Sequence, residues 1–297
     1  MIDRKNAGLR GSVVLCETEG RCFSPELSGT YVTRESFLPD GRHSEMTDTR
    51  GVQWTQRWLY FDDGRPREEL FDGAVSFRRI FIYDLKGRRE QVRVQDEDGE
   101  RLEEVCIYNE NGTTIHTSYP RMPGGQVGVM ADSMLHMSVD AVRITTVQDS
   151  RGNPLEKVLF NADDRPIQRV LFRYDDAGRL VEEGEAYSGN RIRHDFRNLF
   201  RYDAQGRCIE RETHCPFGGE RHSTIYNEYG DVSEIRRIPM ATDMDFFPQS
   251  SWANHFSYEY DAGSNWVSCK VEMQVLGTGE TTHREEKHRR VEYLNSI

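Results

Sequence analysis

Histidine and cysteine are the side chains of this sequence best suited to metal binding or nucleophilic catalysis, and the chain has nine histidines and six cysteines. His283 and His288 are five residues apart, with no third ligand pattern nearby. His194–Asp195 and His214–Cys215 are adjacent pairs, and adjacent side chains on a strand point to opposite faces. Neither arrangement matches a zinc site or a catalytic triad. The sequence therefore predicts no metal site and no cofactor.

Carboxylates are abundant, and a pair across a cleft is typical of a glycosidase, whereas a ring of them is typical of a calcium site. Here they lie in short segments rich in Asp, Asn and Gly, where hydrogen bonding within turns explains them. The HExxH, GxSxG, phosphate-loop and dinucleotide-binding motifs are absent from the sequence. We therefore expect a noncatalytic protein, with calcium binding at the acidic turns as an alternative. The acids in question are Asp62, Asp63, Asp84, Asp96, Asp98, Asp163, Asp164, Asp175, Asp176 and Asp203.

A short unit recurs along the chain: an aromatic residue, an Asp or Asn, two variable residues, a glycine and often an arginine. Copies recur at about 22 to 28 residues, a spacing typical of repeat architectures with one supersecondary element per unit. Weaker relatives are "FDDGRP" at Phe61, "FNADDRP" at Phe160 and "YDAGSNW" at Tyr260. The clear copies are "YDLKGR", "YNENGT", "YDDAGR", "YDAQGR" and "YNEYGD", which begin at Tyr83, Tyr108, Tyr174, Tyr202 and Tyr226.

Each position of the unit has a structural explanation. The aromatic residue suits the end of a half-buried strand, the Asp or Asn bonds nearby backbone amides, and the glycine supplies the positive φ that closes a hairpin. The arginine either covers an aromatic ring or pairs with an acid of the next turn. The unit therefore predicts strand, tight turn and strand. Its structural residues are Tyr83, Asp84, Gly87, Tyr174, Asp175, Gly178, Arg179, Tyr202, Asp203, Gly206 and Arg207.

The pattern resembles the YD repeats of the Rhs family, which are bacterial repeat-rich proteins related in pattern to teneurins. The resemblance spans roughly residues 61–271 and is carried by the units at Tyr83, Tyr174 and Tyr202. It implies repeated hairpins that coil into a hollow shell, which in large members encloses a C-terminal toxin domain. Because the repeats run nearly to the last residue, we expect a stand-alone YD-repeat protein or a fragment of a shell.

The predicted fold is all-β: a single domain over residues 1–297 whose repeated antiparallel β-hairpins form an extended twisted or coiled sheet. Irregular insertions near residues 119–141 and 237–255 interrupt the repeats. They either cap the open ends of the sheet or form a binding surface. Methionine and aromatic side chains suit adaptable contacts, so the candidate binding residues are Met134, Met137, Phe246, Phe247 and Trp252.

Charge and hydropathy limit the location and the partners of the chain. The net charge of −11 argues against nucleic-acid binding. No segment approaches the ~20 apolar residues of a membrane helix, so we expect no membrane span. Without a signal peptide, we expect a cytoplasmic protein with free thiols, and export by a signal-independent secretion system is the alternative. The sequence does not predict the oligomeric state.

The leading expectation for function is a noncatalytic β-repeat scaffold or interaction module that binds a protein or a glycan. The second is a component of a bacterial Rhs-type toxin system: a shell piece, a carrier or a neutralising partner. A carbohydrate-active hydrolase is the least favoured of the three.

Overall fold

The computed structural model describes residues 7–23, 29–119, 141–187, 191–215, 218–240 and 251–294. These ranges contain 20 β-strands. The described part of the chain has no helix of the length and apolarity needed to cross a bilayer. The strands are β1 (Val13–Cys22), β2 (Gly29–Phe37), β3 (His43–Asp48), β4 (Trp54–Tyr60), β5 (Pro66–Asp72), β6 (Phe77–Tyr83), β7 (Arg89–Asp96), β8 (Gly99–Tyr108), β9 (Thr114–Ser118), β10 (Arg143–Gln148), β11 (Pro154–Phe160), β12 (Pro166–Tyr174), β13 (Leu180–Tyr187), β14 (Arg191–Tyr202), β15 (Cys208–Cys215), β16 (Gly218–Tyr226), β17 (Val232–Met240), β18 (Trp252–Tyr260), β19 (Trp266–Val275) and β20 (Thr281–Tyr293).

The strands form one closed antiparallel barrel. Each strand pairs with the next along the chain. The ring closes because β1 also pairs with β20, from Val13 opposite Tyr293 to Cys22 opposite Glu285. The all-β prediction is therefore confirmed. The predicted extended or coiled sheet is wrong, since no strand edge is left open among the described strands.

Ten turns share one backbone conformation. In the turn at Asp175, the amide of Asp175 donates to the carbonyl of Arg179, and the amide of Gly178 donates to the carbonyl of Asp175. The residue in the fifth position of the unit has a φ between 60° and 94° in all ten turns. Eight of these residues are glycines, and the other two are Asp164 and Ser264. In the unit that contains "FDDGRP", Tyr60 takes the aromatic position and Phe61 follows it.

A β-bulge accompanies nine of these ten turns. In the turn at Tyr174, Tyr174 pairs with Leu180 but Arg173 pairs with Glu182, so Val181 has no partner. The same shift follows the other turns of this group. Bulges bend a strand and increase its twist, so their repetition curves the sheet in one direction. This curvature explains why the sheet closes, and the bulges are invisible in the periodicity of the sequence.

The two faces of the sheet differ in burial. Directly paired residues share a face, and the face that carries the turn tyrosines also carries the buried side chains of Tyr31, Val92, Cys106 and Val170. We call it the tyrosine face. On the opposite face Ile107 is 53% exposed. Side chains on the concave side of a curved sheet converge, so we assign the more buried tyrosine face to the inside of the ring.

A polar seam holds the ends of the ring together. The backbone amide of Arg10 donates to Oδ1 of Asn265 at 2.6 Å, and Nδ2 of Asn265 donates to the carbonyl of Arg10 at 2.8 Å. Asn265 is fully buried and also bonds the hydroxyl of Tyr293. The guanidinium of Arg10 reaches Asp231 at 3.1 Å. These contacts join the segment before β1 to the last turns of the repeat.

Candidate functional site

The turn tyrosines form a ladder along one end of the ring. The hydroxyl of Tyr202 donates to the carbonyl of Leu180 in the preceding hairpin at 2.7 Å. Five other tyrosines make the same contact at 2.6 to 2.9 Å; four of them lie at the turn position, and Tyr258 lies two residues before the turn residue Tyr260. Burial raises the pKa of all six phenols, which keeps the hydroxyls protonated as donors. The five are Tyr60, Tyr83, Tyr108, Tyr226 and Tyr258.

The turn arginines perform one of the two expected roles, since they cover aromatic rings, but their acid partner lies in their own turn. The guanidinium of Arg179 lies 5.0 Å from the ring centre of Tyr202, in the following hairpin. Four further pairs repeat this contact at 4.1 to 4.6 Å. Arg179 also bonds Asp175 at 2.7 Å, within its own turn rather than the next one. Hydrogen bonds from the side chain and backbone of Arg179 lower the pKa of Asp175.

A compact Glu–Cys–His cluster lies on the tyrosine face where β8 and β9 meet. Sγ of Cys106 is 3.1 Å from Oε1 of Glu104 and 3.2 Å from Nδ1 of His116. Nδ1 of His116 is also 3.2 Å from the same oxygen of Glu104. Among the described residues it is the one group of three or more metal-ligating side chains whose ligand atoms converge. The sequence prediction of no metal site did not consider these residues together.

Neighbouring charges set the protonation of this cluster. Burial, followed by the nearby carboxylate of Glu104, raises the pKa of Cys106 to about 12. Burial alone also raises the pKa of Glu104, but hydrogen bonds from His116 and Cys106 and the charge of Arg89 outweigh it and bring that pKa to about 2. Arg89 contacts Glu104 at 2.7 Å, and Tyr108 bonds the carbonyl of Arg89. The free cluster therefore holds a neutral thiol beside a carboxylate.

A regular hairpin register brings the three ligands together. The turn between β8 and β9 is the one turn of the ten without a bulge, so Cys106 pairs directly with His116. In the bulged turn at Tyr174, the equivalent of His116 is Glu182, which pairs with Arg173 on the opposite face. Because Cys106 and His116 lie at similar distances before and after "YNENGT", the sequence could have suggested that they face each other. Nothing in the sequence indicates, however, that this turn lacks a bulge.

The structure separates the residues that the sequence proposed for binding. Met134, Met137, Phe246 and Phe247 lie outside the described residues. Trp252 begins β18 on the tyrosine face, half-buried and edge-on to His222 at 6.2 Å between ring centres.

The two predicted insertions meet described strands at their edges. Residues 120–140 and 241–250 lie outside the described part of the chain. Residues 237–240 continue β17, and residues 252–255 belong to β18.

All six cysteines of the chain are free.

No protein-family model matches the chain, and no curated protein matches it. A porin-like protein from Bacteroides uniformis is 12% identical, with 95% of this chain and 98% of that chain covered and a TM-score of 0.33. The Tc holotoxin pore of Photorhabdus luminescens is 13% identical, with 91% and 18% covered and a TM-score of 0.24. A TcdB2–TccC3 complex is 14% identical, with 94% and 19% covered and a TM-score of 0.23. This chain therefore spans about a fifth of the Tc toxin chains.

The closed ring corrects one further expectation. The prediction of no membrane span considered only apolar segments of about 20 residues, which is the length of a membrane helix. A closed antiparallel ring satisfies its backbone hydrogen bonds without any helix. The prediction was wrong because it excluded spans on the helical criterion alone.

Proposed function

We propose that this protein is a noncatalytic β-scaffold that binds a protein partner. The observation that carries the proposal is the use of the repeated residues. The tyrosine hydroxyl, the aspartate and the arginine of the unit contact one another or the adjacent hairpin at successive turns. Groups engaged in this way stabilise the ring and are not available to a substrate.

The chemistry of the remaining groups also favours a noncatalytic role. A cysteine nucleophile requires a thiolate at neutral pH. Burial raises the pKa of Cys16, Cys22, Cys106, Cys208 and Cys269 instead. Arg79 sits beside a cavity of about 100 Å³, but it is paired with Glu69 at 2.9 Å and Glu103 at 2.7 Å. Glu69 and Glu103 therefore serve as ion-pair partners of Arg79 and not as catalytic groups.

The exposed surface favours a protein over a glycan as the partner. Sugar-binding platforms present exposed aromatic rings, whereas the ladder tyrosines are covered by arginines. The exposed large apolar side chains of the described residues are mostly aliphatic, although Phe61, Tyr229 and Tyr293 are also exposed. Ile209 and Ile225 lie on the neighbouring strands β15 and β16 and are 36% and 49% exposed. Nearby, Arg221 pairs with Glu212 at 2.6 Å. Apolar side chains surrounded by polar groups resemble the apolar centre and polar rim of a protein–protein interface.

The test compares wild type with Ile209→Lys and Ile225→Lys. We expect both variants to fold with unchanged melting temperatures, because the positions are exposed. We expect them to lose the partner that purified wild type retains in pull-down from cells that express the protein. Lys270→Ala, on the exposed surface of β19, is the control and should retain it. Hydrolysis of a glycan or peptide panel by the folded protein would contradict the proposal.

A second candidate is a component of a bacterial toxin system. It is favoured by the resemblance of the units at Tyr83, Tyr174 and Tyr202 to YD repeats. This function predicts a toxin gene beside the gene for this chain and a stable complex of the two products on co-expression. A neighbourhood without a toxin gene, or two products that elute separately, would exclude it.

A further inference from the structure

We propose that Glu104, Cys106 and His116 form a tetrahedral site for one divalent transition-metal ion, with zinc as the expected occupant. The three side chains offer one oxygen, one sulfur and one nitrogen, the ligand types that zinc takes in proteins. Two come from β8, two residues apart on one face, and the third is opposite Cys106 on β9. The inference is independent of the scaffold function proposed above.

The ligand atoms already lie close to the spacing that zinc requires. Tetrahedral zinc with bonds of about 2.0–2.3 Å places its ligand atoms roughly 3.4–3.6 Å apart. The observed separations among the three atoms are 3.1, 3.2 and 3.2 Å. Each pair must therefore move apart by only a few tenths of an ångström. Rotation of side chains on a paired hairpin achieves this without a change of backbone.

Charge and surroundings also fit a divalent cation. Binding replaces the thiol proton of Cys106, which leaves to solvent, and neutral His116 binds through Nδ1 with its proton on Nε2. Nothing is oxidised or reduced. The thiolate and the carboxylate of Glu104 then neutralise the two charges of the ion. Arg89 remains as a hydrogen-bond donor that orients Glu104, a role that outer groups commonly play around metal ligands.

A fourth ligand can approach from an adjacent recess. His116 borders an open cleft of about 530 Å³, together with Tyr108, Thr114 and Gln148. Water fills the fourth position of a zinc ion held by three protein ligands. The site would therefore bind the metal with one exchangeable position facing the cleft.

The competing explanation is a hydrogen-bond network with no metal. Cys106 and His116 can both donate to Glu104, which satisfies all three groups. The two explanations differ in one measurable respect. A hydrogen-bond network has no affinity for cobalt(II), whereas the proposed site gives a thiolate-to-cobalt charge-transfer band and tetrahedral visible bands.

The experiment is a cobalt(II) titration of chelator-treated, reduced full-length protein. We expect one equivalent of cobalt per chain to produce these bands and one equivalent of zinc to remove them. Cys106→Ser should abolish the charge-transfer band. His116→Gln should weaken cobalt binding by at least about tenfold, since loss of even an outer partner costs 10- to 100-fold.

Two matched variants serve as controls. Cys269→Ser removes another buried thiol of the tyrosine face, and His222→Gln removes a histidine paired with Glu220. Both should retain the full cobalt spectrum. Wild type without a thiolate–cobalt band, or an unchanged band in Cys106→Ser, would overturn the proposal. The wild-type result decides the question even if a variant fails to fold.

Discussion

Replacement of Gly206 by alanine isolates the backbone contribution of the repeated turn. Gly206 has a φ of 81°, in the left-handed region, and a Cβ added there would meet nothing closer than Cδ of Arg179 at 4.0 Å. The substitution therefore introduces no clash. Its cost is the conformational strain alone, roughly 1–2 kcal/mol for a residue with a Cβ. Valine should cost more than alanine because its branched Cβ restricts the side chain further.

The assay is thermal unfolding followed by circular dichroism. An unfolding entropy of roughly 2.1 cal/mol/K per residue converts this strain into a fall in melting temperature of about 2–3 °C. Gly277→Ala is the control, since Gly277 also has open space around it but no positive φ in that range. We expect it to melt within about 1 °C of wild type. If Gly206→Ala and Gly277→Ala melt alike, the turn does not impose the conformation on which the repeat depends.

Four further changes test other parts of the structure. Tyr202→Phe removes one ladder hydrogen bond and should lower the free energy of unfolding by about 1 kcal/mol, measured by thermal melts. An unchanged melting temperature would show that this hydrogen bond does not stabilise the ring. Gly20→Ala places a Cβ that overlaps Cζ, Cε1 and the hydroxyl oxygen of Tyr31, and should lower the melting temperature by more than Gly206→Ala does; an equal or smaller loss would contradict the close approach. Ser264→Gly relieves a φ of 61° and should stabilise by up to about 1 kcal/mol, a gain that destabilisation would refute. Glu104 has its pKa lowered from 4.5 to about 2, so its stabilisation is complete above about pH 4.5 and is lost as pH falls to about 2. Glu104→Gln should therefore melt below wild type at neutral pH and approach it near pH 2–3; the same deficit at both pH values would refute this assignment.

The turns were the part of the structure most accessible from sequence. Their signal is local. Asp175 accepts hydrogen bonds from the backbone amides two and four residues further along the chain and from the side chain of Arg179. Gly178 adopts the positive φ that the turn requires. Of the two roles expected for Arg179, the contact with an aromatic ring occurs, whereas its acid partner is Asp175 of the same turn and not an acid of the next one. Local hydrogen bonds can be read from a short motif because all of their partners lie within it.

Closure of the ring was not accessible in the same way. It depends on unpaired residues such as Val181, which no side-chain type marks, and on the pairing of β1 with β20. Closure depends on the presence of bulges, whereas the Glu–Cys–His cluster depends on the absence of one. It exists because the turn after Tyr108 lacks the bulge, so His116 faces Cys106. Both features follow from register, and a shift of one residue moves a side chain to the other face of a sheet.

The pairing of β1 with β20 has a consequence for how the chain reaches its folded state. Cys22 and Glu285 are 263 residues apart in the chain, yet they are directly paired residues of β1 and β20. Until β20 has been synthesised, β1 and the growing end of the sheet each present unpaired backbone groups, which are templates for association with other chains. Contacts of such long sequence separation also slow folding. We therefore expect chains that end before β20 to aggregate even though their hairpins are intact.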